Sequence, residues 1–380
     1  MLQCLDSYHT TFTDFGAMIN YHQRQSKNSR WERTAVKELT VAPLDSASPL
    51  YGSLSQFAPG VSEDAVNDTA ANLGLALKHD GHFYPVRGTA FKSLADRAKI
   101  SGSSLPKLPK SDLASVLNKC LPLHSAEALL LIRDEKVSAT HSGDEKDYSV
   151  LAIDSLLESL YMKLDERFPG YSFDSGYTDH GITSASWTLP NQREELLGAY
   201  QKVLEAQGKT AMAKKLMPGI RFCTSDTGLA SAKVAALLLG LQYPIHIGGM
   251  MAVEHRRQTK VEDFAKTLDG IFAKFGDAIA ALEKLTNVYL THPVNAMTAI
   301  CKKLSMPKKA AMEAIAMFEG SLGSENVTAH DVFMALQEII FILRTSEGVS
   351  DGKLLVIEEN LARALTLRWQ DFDLARAVSY

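Results

Sequence analysis

The sequence predicts an α+β fold with a mixed N-terminal part, a central antiparallel sheet with flanking helices, and a helical C-terminal third. Three observations carry this. Between about residues 128 and 254, short apolar or alternating runs bounded by turn residues read as strands. Beyond Thr259, apolar residues recur every three or four positions for most of the remaining chain, the period of an amphipathic helix. Before residue 125, Ser/Pro/Gly-rich links at Ser46–Pro59 and Ser101–Pro109 interrupt shorter patterns. The expected organisation is 1–125, a mixed region with exposed linkers; 126–258, the sheet core; and 259–380, the helical region.

Element by element, Ser62 is placed to cap a helix containing Ala65, Leu73 and Leu77, and Ser111 one over Asp112–Cys120. Ala128–Arg133 and Val137–His141 flank Asp134-Glu135-Lys136 as a hairpin. Leu156, Leu157, Leu160, Tyr161 and Leu164 give one apolar side to a helix over Ile153–Arg167. Tyr171–Tyr177 and Ile182–Leu189 alternate like half-buried strands, and a helix follows over Gln192–Gln207. Gly219–Thr224 and Pro244–Glu254 read as strands, with Ala232–Leu239 readable as strand or helix. Thr259 and Glu262 have capping-box spacing ahead of about six helical turns running through Leu282. Five more helices are expected at Val294–Leu304, Pro307–Phe318, Ala329–Leu343, Leu354–Leu367 and Asp371–Val378.

The composition fits a packed protein: 46% of the 380 residues are hydrophobic and 22% charged, which excludes wholesale disorder and fibrous repeats. No run of eighteen apolar residues exists, so no membrane partner is expected. The start of the chain lacks signal-peptide character, making a cytoplasmic address the expectation. Four widely separated cysteines argue against a disulfide framework and against a Cys-x-x-Cys zinc site. Charge is uneven. Residues 205–310 carry 15 Lys and Arg against 8 Asp and Glu, whereas 311–380 carry 5 against 11. A basic block of this kind attracts a polyanion, or pairs with the acidic tail within one fold or across a homo-oligomer.

Several constellations bear on chemistry. Asp174-Ser175-Gly176 and Asp226-Thr227-Gly228 look like the paired triplets of a carboxylate dyad, yet the same residues are ordinary turn formers, and the turn reading is preferred. His246 and His255, with Asp226 upstream, are weak metal candidates, since a nine-residue spacing puts the histidines on opposite faces of a regular strand. With Asp179 and His180 they define an alternative, a metal-assisted enzyme site. There is no phosphate loop, nucleophile elbow or His-Glu-x-x-His, and no cofactor is expected.

The basic features favour nucleic acid. Arg24, Lys27, Arg30, Arg33 and Lys37 would form a cationic helix face around Trp31, a ring able to stack on a base. Arg256, Arg257 and Lys260 precede a helix start, where orphan amides favour an anion. Lys302, Lys303, Lys308 and Lys309 ring a helix-turn-helix spacing over Val294–Phe318, in which Lys308 and Lys309 would lead the second helix toward DNA.

Longer runs carry a resemblance. Met217–Gly228, Tyr243–Gly249, Glu254–Phe264, His82–Lys99 and Pro293–Lys309 resemble the uncharacterised phage- and plasmid-like proteins of bacterial prophages and conjugative elements. The resemblance covers most of the chain from about residue 60 and implies a setting in DNA transfer, replication, recombination or host-defence evasion; it implies no catalytic residues. The combined expectation is a non-enzymatic accessory protein binding single- or double-stranded DNA through Arg256, Arg257, Lys260 and the four lysines, with Trp31 or Tyr84 stacking on a base. A self-assembling or protein-interaction module is the remaining alternative.

Overall fold

The computed structural model describes residues 2–323, 326–346, 349 and 351–380. The fold is α+β, built around two hydrophobic cores. The chain opens with β1 (His9–Phe12) and α1 (Phe15–Asn28), the latter capped by Asp14, whose carboxylate accepts from the Ala17 amide at 2.7 Å. The cationic pattern expected as one helix then breaks at Ser29. Arg30–Ala35 is β2, so Arg30 and Arg33 point to opposite faces instead of sharing one.

The first core is assembled from β2, β3 (Thr40–Pro43), α2 (Glu63–Ala71), β4 (Leu75–His79), β5 (His82–Pro85), α3 (Ala90–Arg97), α4 (Lys110–Cys120), β6 (Glu127–Arg133) and β7 (Lys136–Ser142). Two three-stranded antiparallel sheets, ordered β3-β4-β5 and β2-β6-β7, share it. The β6–β7 hairpin turns on Asp134 and Glu135, both at positive φ (47° and 70°), as a two-residue turn matching strand twist requires. Ala128, Leu130, Ile132 and Val137 pack into this first core, so the expected divide at 125/126 falls inside a packed unit.

The second core holds α5 (Ile153–Arg167), β8 (Ser172–Asp179), β9 (Thr183–Thr188), α6 (Arg193–Ala206), α7 (Thr210–Lys215), β10 (Met217–Thr224), β11 (Ala232–Leu239) and β12 (Ile245–Val253). It also takes in α8 (Val261–Leu268), α9 (Ile271–Leu285), α10 (Pro293–Lys303), α11 (Lys308–Ser321), α12 (Ala329–Leu336), α13 (Glu338–Arg344) and α14 (Asp351–Ala362). Its six-stranded antiparallel sheet runs β1-β8-β9-β10-β11-β12, so the ambiguous Ala232–Leu239 is a strand, paired on both edges. Trp187, Ile220, Phe222, Val234, Ala236, Leu238 and Ile247 face the helices; the alternate residues, Ser184, Ser186, Arg221, Lys233 and His246 among them, face the other way. Sheet and C-terminal helices share one core, so residue 258 divides nothing.

Local expectations meet tertiary constraint in three places. The six-turn helix after Thr259 is two helices, separated at Asp269-Gly270. Its cap is Lys260, whose amide donates to the Asp263 carboxylate at 3.0 Å, while Thr259 turns back to the Arg256 carbonyl. The expected helix Asp371–Val378 is absent: the chain there lies across α10, and Asp373 accepts from the Thr291 and His292 amides (2.9 and 2.6 Å) at that helix's start. Among the described residues no helix is long and apolar enough to cross a membrane.

Candidate ligand site at the junction of the two cores

The two cores meet at a buried polar cluster. At the end of β6, Arg133 donates through Nε to Ser29 Oγ (2.7 Å) and through Nη2 to Asp226, which sits in the turn after β10. The two side chains are only 12% and 10% exposed. Burial pushes the Asp226 carboxyl up, but the adjacent Arg133 charge outweighs it and holds the group below its ordinary range. The Asp226 main-chain carbonyl accepts two further hydrogen bonds, from the Tyr148 hydroxyl (2.9 Å) and from His141 Nε2 (2.8 Å).

Ser225 Oγ accepts from the Thr227 and Leu229 amides (3.2 and 3.1 Å), making Asp226-Thr227-Gly228 a hydroxyl-capped turn. Gly228 has φ +82°, and a Cβ there would lie 3.2 Å from the His141 ring. Asp174 is exposed on β8 with Ser175 as its partner, so the two triplets do not form a carboxylate dyad.

Around that turn four rings stack. His141 and Tyr148 lie face to face with centroids 3.5 Å apart, His255 continues the stack from Tyr148 at 5.8 Å, and Trp31 flanks both His141 and Tyr148 at 6.1 Å. Trp31 is half-buried, whereas the other two tryptophans of the chain, Trp187 and Trp369, are sealed in the second core. Beside Trp31 opens a cavity of about 170 Å³ lined also by His22, Ser26, Ser29, Arg133 and Asp226. His22 Nε2 is buried without a hydrogen-bond partner, and burial, aided by the Arg133 charge, lowers its pKa to about 3. The His22 ring is therefore neutral at pH 7.

The predicted residues divide into three groups. Arg33, on the Trp31 face of β2, reaches Glu127 and Glu145 at 3.6 Å. The segment carrying Arg256, Arg257 and Lys260 is stitched to the same loop, the Arg257 amide donating to the Lys146 carbonyl (2.9 Å) and the Gln258 amide to the Glu145 carbonyl (3.1 Å). Trp31, Arg33 and the Arg256–Arg257 segment thus adjoin one aromatic stack, with Lys260 three residues further on at the start of α8. Arg256 pairs with Glu254; Arg257 and Lys260 form no ion pair with any described carboxylate.

Arg30 and Tyr84 lie on the opposite face of β2. Tyr84 is buried, its hydroxyl accepts from Arg30 Nη2 (3.2 Å) and its ring lies under that guanidinium, which corrects the expectation that it stacks on a base. The four lysines of the α10–α11 turn form the third group. Lys302 donates to the Ser379 carbonyl and Lys308 to that of Tyr380, whose hydroxyl reaches back to Met306, so the end of α11 meant for a DNA groove is occupied by the C-terminal segment. Lys303 and Lys309 are exposed.

Of the metal candidates, His255 lies near Asp226 and bonds Thr224 Oγ1 (3.3 Å), while His246 lies on β12 with both ring nitrogens unpartnered, near Arg221 and Lys233. Among the described residues no group of three or more His, Cys, Asp or Glu is placed to hold a metal ion. Nor does Asp179 join them: its carboxylate accepts from the Gly181 and Ile182 amides, and His180 bonds the Leu5 carbonyl. Arg133, Tyr148, His141 and His22 are what the sequence reading missed. Each is a lone residue within an ordinary helix, strand or loop pattern, and the one signal near them was the Asp226 triplet.

The fold and site define an α+β protein with two cores closed over an aromatic and charged junction. Comparison with protein-family models, with curated proteins and with solved structures yields no match.

Proposed function

We propose that this protein binds single-stranded nucleic acid at the junction, a base stacking on Trp31 and phosphates lying along Arg33, Arg256, Arg257 and Lys260. The observation that carries the reading is the gathering of two sequence-distant cationic segments around one half-exposed tryptophan. A stacking surface flanked by a charged track is the common solution for single strands, because every base has a π-face and every nucleotide a phosphate. The ion pairs Arg33 makes with Glu127 and Glu145, and Arg256 with Glu254, are exposed and worth little each, so phosphate oxygens replace them at small cost. The resemblance to phage- and plasmid-like proteins supports the same reading by context, as an accessory protein of a mobile element.

Fluorescence anisotropy with single- and double-stranded oligonucleotides at two salt concentrations tests the proposal. The expected result is binding that weakens with salt by roughly one log unit of slope per phosphate contacted. Because Trp31 is the one tryptophan of three outside the core, binding also quenches intrinsic fluorescence. Trp31→Ala costs about 1–3 kcal/mol of affinity and removes the quench. No binding by micromolar protein at about 50 mM salt ends the proposal.

A further inference from the structure

The second core contains a different site, on the face of the six-stranded sheet turned away from α5, α6, α8 and α9. A sheet face covered by a helix is ordinarily apolar. Here the alternate positions of β8, β9 and β10 present Ser175, Ser184, Ser186 and Arg221, while α14 and α13 bring Glu358 and Arg344 over them. Between sheet and helices lies a cavity of about 380 Å³ whose lining includes these six side chains together with Phe12 and Tyr177.

Two details mark it as built to hold something. Ser186 is 5% exposed, lines the cavity, and makes no side-chain hydrogen bond among the described residues. The hydroxyl is open to the cavity, where a bound polar group can pair with it. The second detail is charge. Glu358, 3% exposed, is shared by Arg221 Nη1 and by Arg344 Nη2 (2.9 Å), so two guanidiniums meet one carboxylate, and among the described residues no other carboxylate pairs with either. Among the described residues this leaves one guanidinium charge unmatched beside the cavity and available to an oxyanion, which arginine's donor fork suits.

From this geometry we infer that the cavity binds a small polyhydroxylated anion of the sugar-phosphate class, its oxyanion on Arg344 and Arg221 and its hydroxyls on Ser175, Ser184 and Ser186. The volume suits a small molecule. Leu354 and Leu355 of α14 supply an apolar wall for the carbon skeleton. The site is independent of the junction: none of its residues lines the Trp31 cavity.

Isothermal titration of the full chain with ribose 5-phosphate, ribose and inorganic phosphate tests the inference. Ribose 5-phosphate is expected to bind about tenfold or more tightly than either fragment. Arg344→Gln, in which Glu358 keeps Arg221, should weaken ribose 5-phosphate about tenfold or more, the loss of one charge-assisted contact, while leaving oligonucleotide binding unchanged. Ser186→Val should weaken the sugar phosphate and spare inorganic phosphate. The inference is overturned if ribose 5-phosphate fails to bind at about 10 mM, an order of magnitude above a millimolar Kd. It is equally overturned if Arg344→Gln binds like the unaltered protein or if phosphate alone binds as tightly as ribose 5-phosphate.

Discussion

At the scale of single residues, Arg133 and Asp226 are the pair on which the junction depends. Each would be a buried, uncompensated charge without the other, and breaking such a pair by removing one partner costs about 3–5 kcal/mol. Asp226→Asn keeps the shape and removes the charge, so it isolates this effect. Its urea unfolding midpoint should drop accordingly, with the Trp31 shelf displaced because the same turn anchors Tyr148 and His141. A variant as stable as the parent would mean that Arg133 is solvated. Asp6, Asp68, Arg87 and Lys136 form a second buried network, in which Lys136, 0% exposed, is bonded to Asp6 (3.0 Å) and to Asp68. Two cations and two carboxylates balance there, and with Arg87 bonded to the Cys4 and Leu5 carbonyls the network fastens the start of the chain to the first core.

At the scale of elements, the C-terminal segment acts as a strap. Asp373 holds the two amides at the entry to α10, Asn295 Nδ2 donates to the Leu374 carbonyl (2.7 Å), and Tyr380 covers the α10–α11 turn. This explains why Asp371–Val378, helical in its apolar spacing, is not a helix: its polar groups are bonded to other elements. Asp373→Ala should cost about 1 kcal/mol, as loss of a helix cap does. Thermal unfolding checks this, and because the strap lies away from Trp31, oligonucleotide affinity should not change. The split of the long helix into α8 and α9 has a comparable origin. The apolar residues on both sides of Asp269-Gly270, Phe264 and Leu268 before and Ile271 and Phe275 after, are all buried, so the chain bends to satisfy two contacts instead of continuing straight.

At the scale of the whole molecule, the basic block is partly neutralised from within. Lys209 pairs with Asp331, Arg221 with Glu358 and Lys233 with Glu359, each joining the 205–310 segment to the acidic tail. The remaining cations sit at separate places, those of the junction beside the half-buried Trp31. A second global property is pH sensitivity. Burial lowers the pKa of His22 and His246 to about 3 and of His141 and His330 to about 4, from 6.5 in the unfolded chain. Between those values the unfolded state binds protons that the folded state refuses. Stability is therefore full above about pH 6.5 and is lost as pH falls toward 3. Asp226, held below 3.8, contributes in the same direction at the acid end. Urea midpoints should fall steeply from pH 7 to pH 5, and a flat profile would show these rings to be solvated.

The elements were legible because periodicity is local. The hairpin at Asp134-Glu135, the helix Ile153–Arg167 and strands β8 to β10 follow from side-chain alternation and turn chemistry within a few residues. Which face of Arg30–Ala35 carried which residue, and where the cores divided, depended on pairing with strands a hundred residues away. The junction was invisible for the same reason. His22, Trp31, Arg133, Tyr148 and Asp226 each look ordinary in their own stretch of chain, and only long-range packing makes them neighbours. Composition and pattern alone determined an α+β protein with a basic segment and an acidic tail. Tertiary contact decided which charges cancel and which remain to meet a ligand, because ion pairing is set by distance in space rather than along the chain.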